Sequence, residues 1–353
     1  MKNAKKILLV SIAFLGSIAL VWGLFSRNEE GQVESKKDIL KIPVQGQRIE
    51  NRVWSKIEFD TLFVIGDSKD EILFRPGIIK GDADGNSYII DYGDVSIKKF
   101  DKNGRPVVTF GRGRGEGPGE FVNPTDIAFD DKRTLWIADL PERSLSWFLP
   151  DGTFLKKIKL EEGILRVAPV DSGYYYVMRV SPRNPRVFNV YALEDKFIRS
   201  FGDLIEDYRT AALSLDGHVL TAERDLVYVP FYYGAILRYD INGSLIYARE
   251  IVEKGEPPKV ETGSIDGNRF QRVVGRKTLN NCPSYDNGKL YLLAISASKA
   301  ISATVIDVYL GADGTYQYSF KLPGFSICTS VVDARVHTLQ DTTAVVYRVR
   351  EIN

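Results

Sequence analysis

The sequence predicts an all-β fold, a six-bladed β-propeller closed by its own N-terminal strand. Three observations predict it. From about residue 53 the helical period is absent, and short β-branched and aromatic runs alternate with Asp-Gly and Asn-Gly dipeptides at 84, 103, 151, 216, 242, 287 and 313. Such dipeptides suit two-residue hairpin loops, where both central residues need positive φ. The runs also repeat with a period of roughly 40–48 residues. Finally, the last repeat is one strand short, and a strand is left over before the first.

The repeats follow in order. Residues 77–111 read strand, Asp-containing turn, strand ending in Asp, loop, strand ending in an aromatic, Gly turn, strand. Residues 125–160 read the same way, and 165–202, 210–251 and 281–322 follow. The third-strand aromatic recurs as Phe100, Phe148, Tyr191, Tyr239 and Tyr309. Residues 326–353 supply three strands, and VWSKIEFDTLFVIG at 53–66 supplies the fourth. Joining the two termini removes an open sheet edge and closes the ring. A sandwich explains neither the period nor the split last unit.

The chain before residue 53 is different. Lys2, Lys5 and Lys6 precede an uncharged run at 7–25, and Arg27, Glu29 and Glu30 follow it. As a helix the run spans roughly 28 Å, about one bilayer core. The expected organisation is a cytoplasmic basic end at 1–6, an uncleaved transmembrane anchor at 7–25, a polar tether at 26–52 and the propeller at 53–353. A cleaved signal peptide is the competing reading. By the positive-inside rule the bulk of the chain lies outside the cytoplasm, on the periplasmic side of the inner membrane.

Composition excludes several functions. The net charge is +1, so no global field favours nucleic acid. Two histidines, His218 and His337, cannot form a three-histidine metal centre, and two cysteines cannot form a Cys-rich zinc site. FGRGRGEGPGEF at 110–121 has the look of a phosphate loop. However, no register gives G-x-G-x-x-G, no Lys-Ser/Thr follows, and Pro124 with a strand replaces the helix whose N-terminus would hold the anion. Arg112 and Arg114 are offset by Glu116 and Glu120, so the loop is read as a blade-to-blade crossing with Phe121 packed inward. DADGN at 82–86 begins like a calcium loop, but Ser87 and Gly93 stand where Gly and Glu are required, which favours a hairpin turn.

The stretch FGRGRGEGPGEFVNPTDIAFDDKRTLWIADLPERSLSWFLPDGTFL resembles an NHL-type propeller repeat. The resemblance is good over 75–160 and weak beyond. It implies a six-bladed propeller of the bacterial exported, membrane-anchored type, and it implies little about function. Amidating-lyase-like relatives bind zinc through three histidines, and lactonase-like ones gather Glu, Asn and Asp around calcium. Asp126, Asn123 and Asn281 lie near predicted innermost strands, but no full ligand set emerges. No catalytic, cofactor or metal residue is therefore assigned; calcium stays open at the Asp-containing turns such as 82–86 and accompanies the enzyme alternative.

Cys282 and Cys328 occupy matching places on adjacent innermost strands when 290–292 is aligned with 336–338. Aligning Asp286 with Asp333 shifts them by one, so a disulfide and two buried thiols both stay open. Between the fourth and fifth repeats lies an insertion, 252–280, rich in basic residues. Arg269, Arg272, Arg276 and Lys277 are its candidate partner-binding residues. The reading that results is a membrane-anchored binding or scaffold module for a protein, peptide or glycan, possible as a subunit of a membrane complex. The alternative is a periplasmic metal-dependent hydrolase or lyase.

Overall fold

The computed structural model describes residues 34–37, 40–47, 49, 51–66, 73–170, 173–179, 181, 184–210, 214–265 and 268–351. Six four-stranded antiparallel sheets form the propeller. The first blade comprises β3 (Pro76–Gly81), β4 (Ser87–Asp91), β5 (Ser96–Phe100) and β6 (Pro106–Phe110). The second comprises β7 (Pro124–Phe129), β8 (Leu135–Asp139), β9 (Ser144–Phe148) and β10 (Phe154–Lys159). The third comprises β11 (Ile164–Val170), β12 (Tyr174–Arg179), β13 (Arg186–Ala192) and β14 (Phe197–Asp203). The fourth comprises β15 (Gly217–Ala222), β16 (Asp225–Pro230), β17 (Ala235–Tyr239) and β18 (Leu245–Glu250). The fifth comprises β21 (Asn280–Asp286), β22 (Lys289–Ala294), β23 (Thr304–Leu310) and β24 (Tyr316–Leu322). A helix, α1 (Ile295–Ile301), bridges β22 and β23. The sixth comprises β25 (Cys328–Val332), β26 (Arg335–Gln340) and β27 (Thr343–Glu351), completed by β2 (Ile57–Ile65). Ile57 pairs with Glu351 and Ile65 with Ala344, which is the predicted closure.

Two recurrent aspartates explain much of the repeat. The first begins a turn: one oxygen of Asp101 accepts the N–H groups of Asn103 and Arg105, and Asp240 accepts that of Ser244. These are Asx turns, in which the side chain stands in for backbone. Asp82 does the same for Asp84 and Asn86 and also takes Asn86 Nδ2 and the Tyr88 hydroxyl. The calcium-like DADGN is thus a turn whose leading carboxylate is occupied by donors. The second aspartate ends the second strand and latches the incoming crossing. Asp91 accepts the N–H groups of Phe74, Arg75 and Gly93, and Asp139 those of Val122 and Asn123. The third blade inverts the latch: Arg179 stands where Asp91 and Asp139 stand, and pairs with Glu162 of the crossing.

The glycine-rich crossing is wrapped around a cation. Lys157 of β10 donates to the carbonyls of Gly117 and Glu120 at 3.0 and 2.8 Å and to both Glu142 oxygens at 3.0 and 2.9 Å. A phosphate cradle points N–H groups inward, whereas this loop points carbonyls. Gly111, at φ +105°, admits the Phe121 ring, which a Cβ there would meet at 2.8 Å. Phe121 is fully buried against Phe148.

One expectation is corrected, and two segments take a form the sequence did not indicate. Asp216-Gly217 does not form a hairpin turn: Gly217 opens the innermost strand β15, so the fourth blade starts at 217 and not 210. The polar tether is not free along its length. Residues 40–47 and 51–56 run across the outermost strands of three blades, with Lys41 N–H on the Leu204 carbonyl, Gln45 bonded to β18, and Val53 and Ser55 bonded to Ser319. Leu40, Ile42 and Val44 pack on the core of blades three and four. Arg52 locks the strap, forked onto Asp307 at 2.8 and 2.9 Å and reaching Glu253 at 2.6 Å. Likewise the insertion at 252–280 is a hairpin, β19 (Lys259–Ile265) and β20 (Asn268–Val274), to which β1 (Glu34–Lys37) adds a third strand. Its polar, uneven sequence hid the strand period. The predicted anchor, 7–25, lies outside the described residues. Among the described residues, no helix is long and apolar enough to cross a membrane.

Candidate functional site

The six innermost strands surround a central channel. Each runs from the face where one blade crosses to the next towards a turn face at the opposite end. Their C-terminal halves enclose a cavity of about 220 Å³. Lys80, Asp126, Thr221, Ser284 and Ser330 supply its polar wall, and Pro169, Val219 and Val331 much of its apolar wall.

Lys80 is the unusual member. It sits one residue before the end of β3, and its ammonium makes no hydrogen bond or ion pair among the described residues. Burial pulls its pKa below the ordinary lysine value, and nearby Arg166 adds to that while Asp126 opposes it. Asp126, 3% exposed, accepts the Val167 N–H at 3.1 Å. Burial raises its pKa, against the pull of Lys80 and Arg166. The two groups thus feel each other without closing into a pair. Lys80 is half-buried, and its ammonium is open to the cavity and not sealed in the wall, so it stands free for a ligand.

Above the cavity the channel is filled by a polar layer. Arg166 Nη2 meets Asp216 at 3.2 Å, Nη1 caps the Leu165 carbonyl, and Nε has no partner among the described residues. Burial raises the pKa of Asp216. His218 Nε2 lies 2.8 Å from Asn281 Oδ1. The same oxygen accepts the Cys282 N–H, and Asn281 Nδ2 donates to the Ile327 carbonyl. These contacts fix the amide, so the proton is on His218 Nε2 and Nδ1 carries the lone pair. Burial, Arg166 and Lys80 hold this imidazole neutral, well below its usual pKa.

Cys282 and Cys328 are joined by a disulfide, with Cα atoms 5.3 Å apart. Cys282 stands at φ +42° inside a bulge of β21 that breaks the register between Asn281 and Ser284. That extra residue explains why two alignments of the repeats disagree by one. At the crossing face, Tyr92 folds over Gly77, where a Cβ would lie 2.2 Å from its ring. Burial pushes the Tyr92 hydroxyl up to about 12.

The structure brings Asp126, His218 and Asn281 to the channel. Asn123 stays in the crossing, its N–H on Asp139. His337 lies on the second strand of blade six, bonded to Ser87. None of the insertion's basic residues, Arg269, Arg272, Arg276 or Lys277, lines the cavity. Arg272 pairs with Glu261, Arg276 stacks on Tyr232, and Arg269 lies on β20. Among the described residues, no three His, Cys, Asp or Glu side chains group as metal ligands. Lys80 and Arg166 were missed in the sequence because a lone cation in a strand carries no spacing signal.

Several solved structures share this architecture. A "Putative exported protein" from Bacteroides fragilis superposes with a TM-score of 0.60 at 13% identity, over 87% of this chain and 99% of its own. A DUF4221 member from Bacteroides vulgatus gives 0.56 at 12%, over 84% and 99%. Virginiamycin B lyase from Staphylococcus aureus gives 0.51 at 10%, over 83% and 99%. At these identities the likeness is one of fold. No functionally curated protein matches the chain. The 6-bladed beta-propeller family DUF5128 matches residues 29–251, and the chain belongs to that family.

Proposed function

We propose that the chain is an exported, membrane-anchored binding module whose channel cavity takes a carboxylate of a partner peptide against Lys80. One observation carries the reading: the ammonium of Lys80 lines a polar cavity beside Asp126 and has no partner among the described residues. A ligand carboxylate would complete a charge-assisted pair there. A neighbouring ligand N–H would be accepted by Asp126, and Ser284, Ser330 and Thr221 offer hydroxyls. A peptide end or acidic side chain supplies both groups.

The similarity to an exported protein and the uncharged run at 7–25 support location outside the cytoplasm. Residues 26–33 can bridge at most about 30 Å between an anchor and β1. The crossing face, with its hairpin, would then be held near the membrane. The cavity mouth would open away from it, towards partners.

The test is thermal unfolding of wild type and Lys80→Met with acidic dipeptides, free amino acids and simple amines. A ligand at a hundredfold its Kd adds about 2.7 kcal/mol. The expectation is that carboxylate ligands stabilise wild type and not the variant. Equal stabilisation of both, or of neither, rejects the assignment.

A further inference from the structure

A second concavity lies away from the channel. Between the outer parts of blades two and three is a groove of about 460 Å³, within the range of ligand sites. Its charges cancel: Lys159 and Arg179 face Glu161 and Glu162. Arg179 pairs with Glu162, and Lys159 with Glu116. The groove therefore offers planar polar groups without a field that selects an ion.

Those groups are built in. Arg179 and Asn189 are 4% and 7% exposed. Arg179 Nε donates to Asn189 Oδ1 at 2.9 Å, and Asn189 Nδ2 donates to the Tyr191 hydroxyl at 3.1 Å. The proton of that hydroxyl is given to no group among the described residues, so the relay ends on a free donor. Tyr191 itself is backed by Tyr175, stacked at 5.4 Å and 15°. Beside it the Phe197 ring stands 52% exposed, edge-on to Tyr191 at 5.8 Å. An apolar ring face and a fixed polar relay therefore lie side by side in one groove.

We propose that this groove binds a neutral oligosaccharide. A sugar ring presents an apolar C–H face, which stacks on an aromatic ring, and a rim of hydroxyls, which both donate and accept. Phe197 matches the first, and Tyr191, Asn189 and Ser200 match the second. An acidic or basic polymer finds no net opposite charge here. The assignment does not rest on the channel reading.

Isothermal titration calorimetry with maltohexaose, xylohexaose, mannohexaose and chitohexaose tests it on the full chain. At least one is expected to bind wild type. Phe197→Ala should weaken that binding about tenfold with the melting temperature lowered by about a few degrees at most, because the ring is half-exposed. Tyr191→Phe should also weaken it, and Lys80→Met should leave it unchanged. Absence of binding by all four, or equal binding by wild type and Phe197→Ala, overturns the proposal.

Discussion

Lys157 and Lys80 are both lysines on strands of the same propeller, and their surroundings are opposite. Lys157 is closed in by the glycine crossing's carbonyls and by Glu142. Lys80 faces a cavity, with a carboxyl near but not in contact. The first is part of the fold's construction. The second is half-buried, open to the cavity and used by nothing within the fold. A cation whose partners are complete belongs to the architecture, and one that lines a cavity without a partner is a candidate for ligand contact.

Arg52 extends the comparison to a third cation and should show the largest effect. It is the only strap residue reaching both Asp307 and Glu253 among the described contacts, and its removal leaves two carboxylates without it. Arg52→Ala should lose stability near the upper end of about 3–5 kcal/mol, read by urea unfolding. Lys157→Met should fall nearer the lower end of that range, because Glu142 is left buried. A loss under about 1 kcal/mol in either would put that cation with weak surface pairs and blur the distinction.

His337 offers a titratable version of the same idea. It is fully buried and neutral, its pKa lowered to about 4 by burial and by Arg335. The unfolded chain binds a proton there near pH 6.5 and the folded chain does not. Stability from this group is therefore full above 6.5 and is lost as pH falls towards 4. The loss is roughly 3 kcal/mol. Asp126 and Asp216, with raised pKa values, act in the opposite direction over the acid range. The difference between wild type and His337→Gln isolates the histidine. Parallel pH profiles for the two proteins would contradict the assignment of a buried neutral ring.

The fold was legible in the sequence because a blade writes itself repeatedly. Asp101 and Asp240 recur as turn carboxylates, Asp91 and Asp139 as latches, and Phe148 and Tyr239 as inter-blade aromatics. Ring closure followed from counting strands at the two ends. The strap was not legible, since Arg52 finds its carboxylates 201 and 255 residues away. Its irregular backbone also has no period of its own. The channel was legible only in part. Asp126 and Asn281 were placed near the inner strands, but Lys80 and Arg166 are single cations in β-rich runs. Nothing local distinguishes them from Lys98, which is tied to Asp91 and Asp94. The conspicuous glycine loop served the fold, and the inconspicuous lysine lines the candidate site.

The most direct measurement is the pair of unfolding free energies for Lys80→Met and Lys157→Met against wild type, without added ligand. Lys80 is half-buried with its ammonium open to the cavity and has no ion pair to lose, so an apolar chain of similar length costs the fold little. The account predicts that Lys80→Met is about as stable as wild type, while Lys157→Met loses several kcal/mol. A large loss in Lys80→Met would show that Lys80 is part of the propeller's own construction, and would contradict its assignment to a ligand.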